Sequence, residues 1–331
     1  MELKVHYPHL DQLKGLAIIF MVMGHGIAWS YPDFSFLFKE LELLPIELFN
    51  ASILWKIIYS FHMPLLFFVS GFLFYKSNKI WNATRIKEVI EKRTKRLLIP
   101  YITTGCFVCF LKGYFGYWFF LVLFVLNIIV AIDLFIIDKL ELRISKEILV
   151  YVFTLLFLFV TSKLYADYLP RMFSNLGGLP IYYVSFMFGY LSNKYRQIEK
   201  LLLSDYVSLV GLVCYVILMV LVNYYGLFNT LSIIIPIFAT IFLYHMFSKY
   251  NSKILGGVSS YSMEIYILHI FFLAPIKEVG EYIVNVSSFP ISITIQLTYS
   301  LAITSIAILF SIITAKVIKT NHILSKLLFG S

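Results

Sequence analysis

The chain has 331 residues, of which 60% are hydrophobic and 14% charged, and its formal charge is +9. Soluble globular domains carry about 25% charged residues, so this composition excludes that class and indicates an integral membrane protein. The positive balance is no sign of nucleic acid. Lys and Arg fall between apolar runs, where membrane topology puts them.

A membrane helix needs about 20 mostly apolar residues. Ten spans are predicted in chain order, at 10–30, 54–75, 97–113, 115–137, 147–164, 177–193, 205–224, 229–247, 260–276 and 290–316. The first has no small-residue cleavage pattern, so it reads as a span and not as a signal peptide. A loop over 31–53 with Asp33, Glu40, Glu42 and Glu47 follows it, and KGYFG at 112–116 makes a tight turn between the third and fourth spans. With the N-terminus inside, 21 of the 27 Lys and Arg residues lie on the inner side, the bias that orients membrane proteins. The expected fold is an all-α integral membrane protein with about ten transmembrane helices in one bundle. Residues 1–331 are expected to form a single transmembrane domain, with no appended soluble domain and both termini cytoplasmic. No internal repeat supports an inverted-repeat transporter. Cys106, Cys109 and Cys214 read as packing residues, and the lone CxxC has no partner pair, so no metal site is expected.

Polar groups within apolar spans are costly and point to function. The first span, LDQLKGLAIIFMVMGHGIAW, carries Asp11, Lys14 and His25. At about 100° per residue, Lys14 and His25 share one helix face, about 16 Å apart along the axis. Asp11 is a helix neighbour of Lys14. Gly24 and Gly26 let another backbone or a ligand approach His25. The second span, YSFHMPLLFFVSGFLFYKS, places His62 at a depth similar to His25, with Pro64 as a possible kink and Ser70 one or two turns deeper. The basic run KEVIEKRTKRLLIPY holds Arg93 and Arg96 on one face ahead of Tyr101. It reads either as a surface for anionic lipid or as a phosphate clamp. The stretch LGGVSSYSMEIYILHIFFLAP adds Glu264, Tyr266 and His269. A structural hydrogen bond and a catalytic role both remain open for His269.

These stretches resemble the membrane-bound acyltransferase-3 family, in particular its fucose 4-O-acetylase-like and polysaccharide O-acetyltransferase members. The carriers are Lys14 and His25 with ten residues between them, FHMPLLFFVSG over Phe61–Gly71, Arg93 and Arg96 before Pro100-Tyr101, and the Ser260–His269 helix. Lys14 departs from the Arg found in many members, which keeps the charge but loses the bidentate fork. The esterase-like domain of some members is not seen.

The resemblance implies transfer of an acyl group, most often acetyl from cytoplasmic acetyl-CoA, to a hydroxyl of a cell-surface polysaccharide or a lipid-linked sugar. Acetyl-CoA is then a substrate, and no permanently bound cofactor is implied. The partners are acetyl-CoA, the glycan acceptor and the lipid bilayer of a bacterial plasma membrane, with no nucleic acid. Arg93 and Arg96, with Tyr101, Ser70, Tyr266 and His269, are expected to bind acyl-CoA or substrate. The pantetheine arm is expected to run about 15–20 Å up the stripe. Deprotonating a sugar hydroxyl needs a base. His25 is expected to be that base or an acyl-accepting nucleophile, with His62 orienting it or stabilising the oxyanion and Asp11 holding Lys14. The competing reading is a glycan exporter or flippase without chemistry, its polar stripe lining a conduit.

Overall fold

The computed structural model describes residues 6–76, 80–113, 116–165, 176–226 and 233–330. These residues are predominantly helical, with no strand among them. The first helices are α1 (Pro8–Ser30), α2 (Ile46–Phe74), α3 (Ala83–Arg93), α4 (Ile99–Lys112), α5 (Trp118–Lys139), α6 (Ile144–Tyr165), α7 (Leu179–Lys194) and α8 (Arg196–Leu202). They are followed by α9 (Asp205–Met219), α10 (Ile235–Lys249), α11 (Lys253–Ser260), α12 (Ser262–Phe272), α13 (Lys277–Ile283), α14 (Phe289–Ile318) and α15 (His322–Phe329). Two 3-10 turns, Ser35–Phe38 and Leu41–Leu43, lie between α1 and α2, and π-turns cover Thr94–Leu98 and Val220–Tyr224.

Among the described residues, six helices are long and apolar enough to cross a membrane: Pro8–Ser30, Ile46–Phe74, Trp118–Lys139, Lys146–Tyr165, Asp205–Tyr224 and Phe289–Ile318. A seventh is added if α11 and α12, bent by 83° across Tyr261, count as one broken span. By length and composition, six or seven of the ten expected spans are thus found among the described residues. The third, sixth and eighth predicted spans become α4, α7 and α10, of 14, 16 and 15 residues. At 1.5 Å per residue these are about 21–24 Å long, short of a hydrocarbon core of about 30 Å. Each carries a proline in its first turn, Pro100, Pro180 or Pro236, where the missing N–H and fixed φ favour a helix start. Ahead of Pro100 the chain widens into a π-turn, with the Ile99 N–H reaching back to the Thr94 carbonyl. The expected loop over 31–53 is shorter than predicted, because α2 begins at Ile46, and α2 continues through Pro64 to Phe74. Of the predicted KGYFG turn, residues 114–115 lie outside the described residues, as do the start of the eighth span and the cations Lys4, Lys79 and Arg171. Gly113 closes α4 at φ +72°, in the left-handed region.

The chain divides into two compact units: Met1–Leu73 with Phe188–Ala315, and Phe74–Met187 with Lys316–Ser331. In the first unit α1 packs on α10, α11, α12 and α13, and α9 packs on α10. Glycine allows the closest approaches, as is common between membrane helices. A Cβ on Gly15 would collide with the Leu255 carbonyl of α11, and one on Gly189 with the Phe68 carbonyl of α2. The C-terminus of α1 is capped by Lys277, whose Nζ donates to the carbonyls of Trp29 (2.8 Å) and Tyr31 (3.0 Å), a cation at the negative end of the helix dipole.

In the second unit α3 packs on α5 and α15 on α4, and Thr103 Oγ1 donates to the Leu327 carbonyl at 2.7 Å. Cys106 and Cys109 do not pack as expected but are exposed. They share α4 with the exposed Ile102, Phe107 and Phe110, on a helix whose outer face is as apolar as lipid.

Candidate functional site

The polar stripe of α1 has the predicted spacing. Asp11, Lys14 and His25 are all half-buried, while Leu13, Ala17, Met21 and Val22 between them are buried. At the N-terminal end, the Asp11 carboxylate accepts from Ser259 Oγ (3.2 Å) and pairs with His6 Nε2 (2.7 Å). These contacts tie the start of α1 to α11. Lys14 lies one turn further along α1, on the same helix face.

At the other end, His25 Nδ1 is 3.0 Å from His269 Nε2 on α12. The ring planes are within 14° and the centroids 5.2 Å apart, so the rings meet edge to edge. His269 Nδ1 lies 3.0 Å from the Ile265 carbonyl. A carbonyl only accepts, so Nδ1 carries the proton and the neutral ring offers a lone pair at Nε2. The hydrogen bond between the rings must then be donated by His25 Nδ1–H. The lone pair of neutral His25 is left on Nε2, and no described residue bonds to that nitrogen. The chain of donors runs one way, from His25 to His269 to the Ile265 backbone. His269, only 2% exposed, therefore fixes the tautomer of His25.

His62 is also 2% exposed, and its Nδ1 donates to the Ile58 carbonyl at 2.8 Å. Among the described residues no hydrogen bond joins it to His25. The Tyr59 ring flanks both, with centroids 4.7 Å from His62 and 6.4 Å from His25. Trp29, one turn beyond His25, stacks on it at 4.8 Å with planes within 3°. Tyr266 is buried, its ring 6.3 Å from that of His269. The Ser70 hydroxyl donates to the Leu66 carbonyl of its own helix at 2.8 Å. Tyr59 and Trp29 were not singled out in the sequence, because nothing in the pattern separates them from 24 Tyr and 4 Trp residues.

Arg93, Arg96 and Tyr101 belong to the second unit. Arg93 is half-buried with its guanidinium 5.9 Å from the Phe74 ring centroid, Arg96 is exposed, and Tyr101 is buried. Burial, and then the neighbouring Arg96 charge, push the Arg93 pKa down to about 10. Arg93 stays protonated at neutral pH, so both side chains can bind an anion. The same unit holds a buried polar cluster outside the residues expected from the sequence. The Asp133 carboxylate of α5 is 4% exposed and accepts from Thr154 Oγ1 (2.7 Å) and Tyr183 OH (2.8 Å). A carboxylate inside an apolar span was the signal that could have found it. Among the described residues no group of three or more His, Cys, Asp or Glu is placed to hold a metal.

An α-helical membrane bundle with an oriented histidine pair is the setting in which the comparisons fall. The acyltransferase domain family, acyltransferase-3, matches residues 7–316, and the chain belongs to it. No curated protein and no solved structure matches the chain. The chain is thus an acyltransferase with membrane helices.

Proposed function

We propose that the chain is an O-acetyltransferase of the polysaccharide-modifying kind, moving acetyl from cytoplasmic acetyl-CoA to a hydroxyl of a surface glycan or its lipid-linked precursor. The observation that carries this reading is the open Nε2 lone pair of His25 at the end of a one-way hydrogen-bond chain. An imidazole held in one tautomer suits proton abstraction from a hydroxyl, and the same nitrogen suits attack on a thioester.

In the direct route the acceptor hydroxyl gives its proton to His25 Nε2 as its oxygen bonds the thioester carbonyl carbon. The tetrahedral adduct then breaks its C–S bond. The thiolate leaves with the electron pair and takes the proton back from the imidazolium. Thioester and alcohol become ester and thiol. His269 Nε2 accepts from the imidazolium Nδ1–H throughout. We assign the phosphates of CoA to Arg93 and Arg96, whose forks suit them. The 21 to 6 partition of Lys and Arg supports a plasma-membrane protein with both termini cytoplasmic, and the family resemblance supports a bacterial origin.

The test is transfer from radiolabelled acetyl-CoA by the purified protein in detergent, with wild type beside His25→Ala. Label should pass to a sugar acceptor or to water in the wild type and fall by about 10²–10⁴-fold in the mutant. A folded wild type that neither binds nor consumes acetyl-CoA would hand the case to an exporter whose polar stripe lines a conduit.

A further inference from the structure

Acyl transfer needs a hydrogen-bond donor as well as a base. As the acceptor oxygen bonds the thioester carbon, negative charge develops on the carbonyl oxygen, and a preorganised donor there is often the largest catalytic term. The two histidines expected to serve this site do not supply one in their neutral forms. His25 has spent its N–H on His269, and His62 has spent its N–H on the Ile58 carbonyl. Each presents only a lone pair to its surroundings. Nearby hydroxyls are also committed: Ser30 Oγ donates to the Ile27 carbonyl and Tyr31 OH to the Ala51 carbonyl.

We propose that the Tyr59 hydroxyl is the donor that holds the thioester oxyanion. This rests on the acyl-transfer reading above. The Tyr59 ring flanks both imidazoles. It is half-buried, and no described residue accepts its O–H. Its position is fixed from two sides. Trp55 stacks on it with centroids 3.9 Å apart and planes within 23°. On the other side the ring rests on the bare backbone of Gly24, where a Cβ would stand 2.5 Å from Tyr59 Cε2. The glycine preceding His25 thus makes room for the phenol beside the base. In the transfer step the phenol keeps its proton, donating to the carbonyl oxygen as the adduct forms and more weakly once the C–S bond has broken. His62, a lone-pair acceptor beside Tyr59, then serves to position the aromatic wall or to receive a substrate hydroxyl.

The experiment measures kcat and KM for acetyl-CoA in Tyr59→Phe, with Trp29→Phe as a companion because Trp29 is the other aromatic donor against His25. Thermal midpoints are read alongside, and the ring contacts that hold Tyr59 survive loss of one oxygen. Tyr59→Phe is expected to lose about 10²–10³-fold in kcat, as for removal of an oxyanion donor, with KM unchanged and Trp29→Phe much less affected. An active wild type with Tyr59→Phe within threefold of it, or with the loss in Trp29→Phe instead, would overturn the assignment. A wild type that moves no label from any acyl-CoA would fail one level earlier, at the acyl-transfer reading.

Discussion

Two buried polar clusters, one in each unit, show what separates a structural group from a reactive one. In the second unit, the two carboxylate oxygens of Asp133 receive the hydroxyls of Thr154 and Tyr183. Each hydroxyl has a carboxylate oxygen as its acceptor, so the bonds of this cluster close on one another. In the first unit, His25, His269 and the Ile265 carbonyl also form a chain, but its polarity leaves one atom over. That atom is the Nε2 lone pair of His25. Both clusters carry the cost of polar groups among apolar helices. The histidine chain leaves one acceptor nitrogen without a partner among the described residues, on a ring flanked by that of Tyr59.

The contrast breaks first at His269. His269→Phe keeps a flat ring but removes the acceptor, so His25 can adopt either tautomer. We expect a loss of about 10²-fold or more in kcat. His269→Gln, whose amide oxygen can accept from His25 Nδ1–H, should restore much of that rate. Equal losses in the two variants would mean that His269 matters for packing and not for the tautomer. A smaller effect of a different kind is expected at Asp133. Tyr183→Phe leaves a buried carboxylate oxygen without one of its donors, and should cost about 1–3 kcal/mol of stability. Thermal unfolding in detergent reads that cost, while kcat per folded molecule should hold at the wild-type value. A kinetic defect without a stability defect would make Asp133 part of the machinery and erase the comparison.

Much of the histidine site was legible because helix geometry is local. The eleven-residue spacing of Lys14 and His25 sets a shared face in any α-helix, and His62 announced itself by its depth in an apolar run. The partner of His25 was less accessible. His269 lies 244 residues away, and no periodicity says which helix will face which. The same limit hid Tyr59, an ordinary aromatic until α2 brings it over Gly24. Span lengths were misjudged for a different reason. Hydropathy counts apolar residues, but Pro100, Pro180 and Pro236 govern where helices begin, and apolar runs continue past them. The Asp133 cluster was missed although its cost was written in the sequence, since its donors come from two other helices.

The most direct test of the histidine chain is its proton positions. Solid-state ¹⁵N NMR of histidine-labelled protein in lipid, with the His25 signals assigned by their loss in His25→Ala, reports which ring nitrogen bears hydrogen. The account predicts a protonated Nδ1 and a bare Nε2 for His25 at neutral pH, and a mixture of tautomers in His269→Phe. A His25 protonated on Nε2 in the wild type would reverse the chain, remove the base from the site, and contradict the mechanism at its starting point.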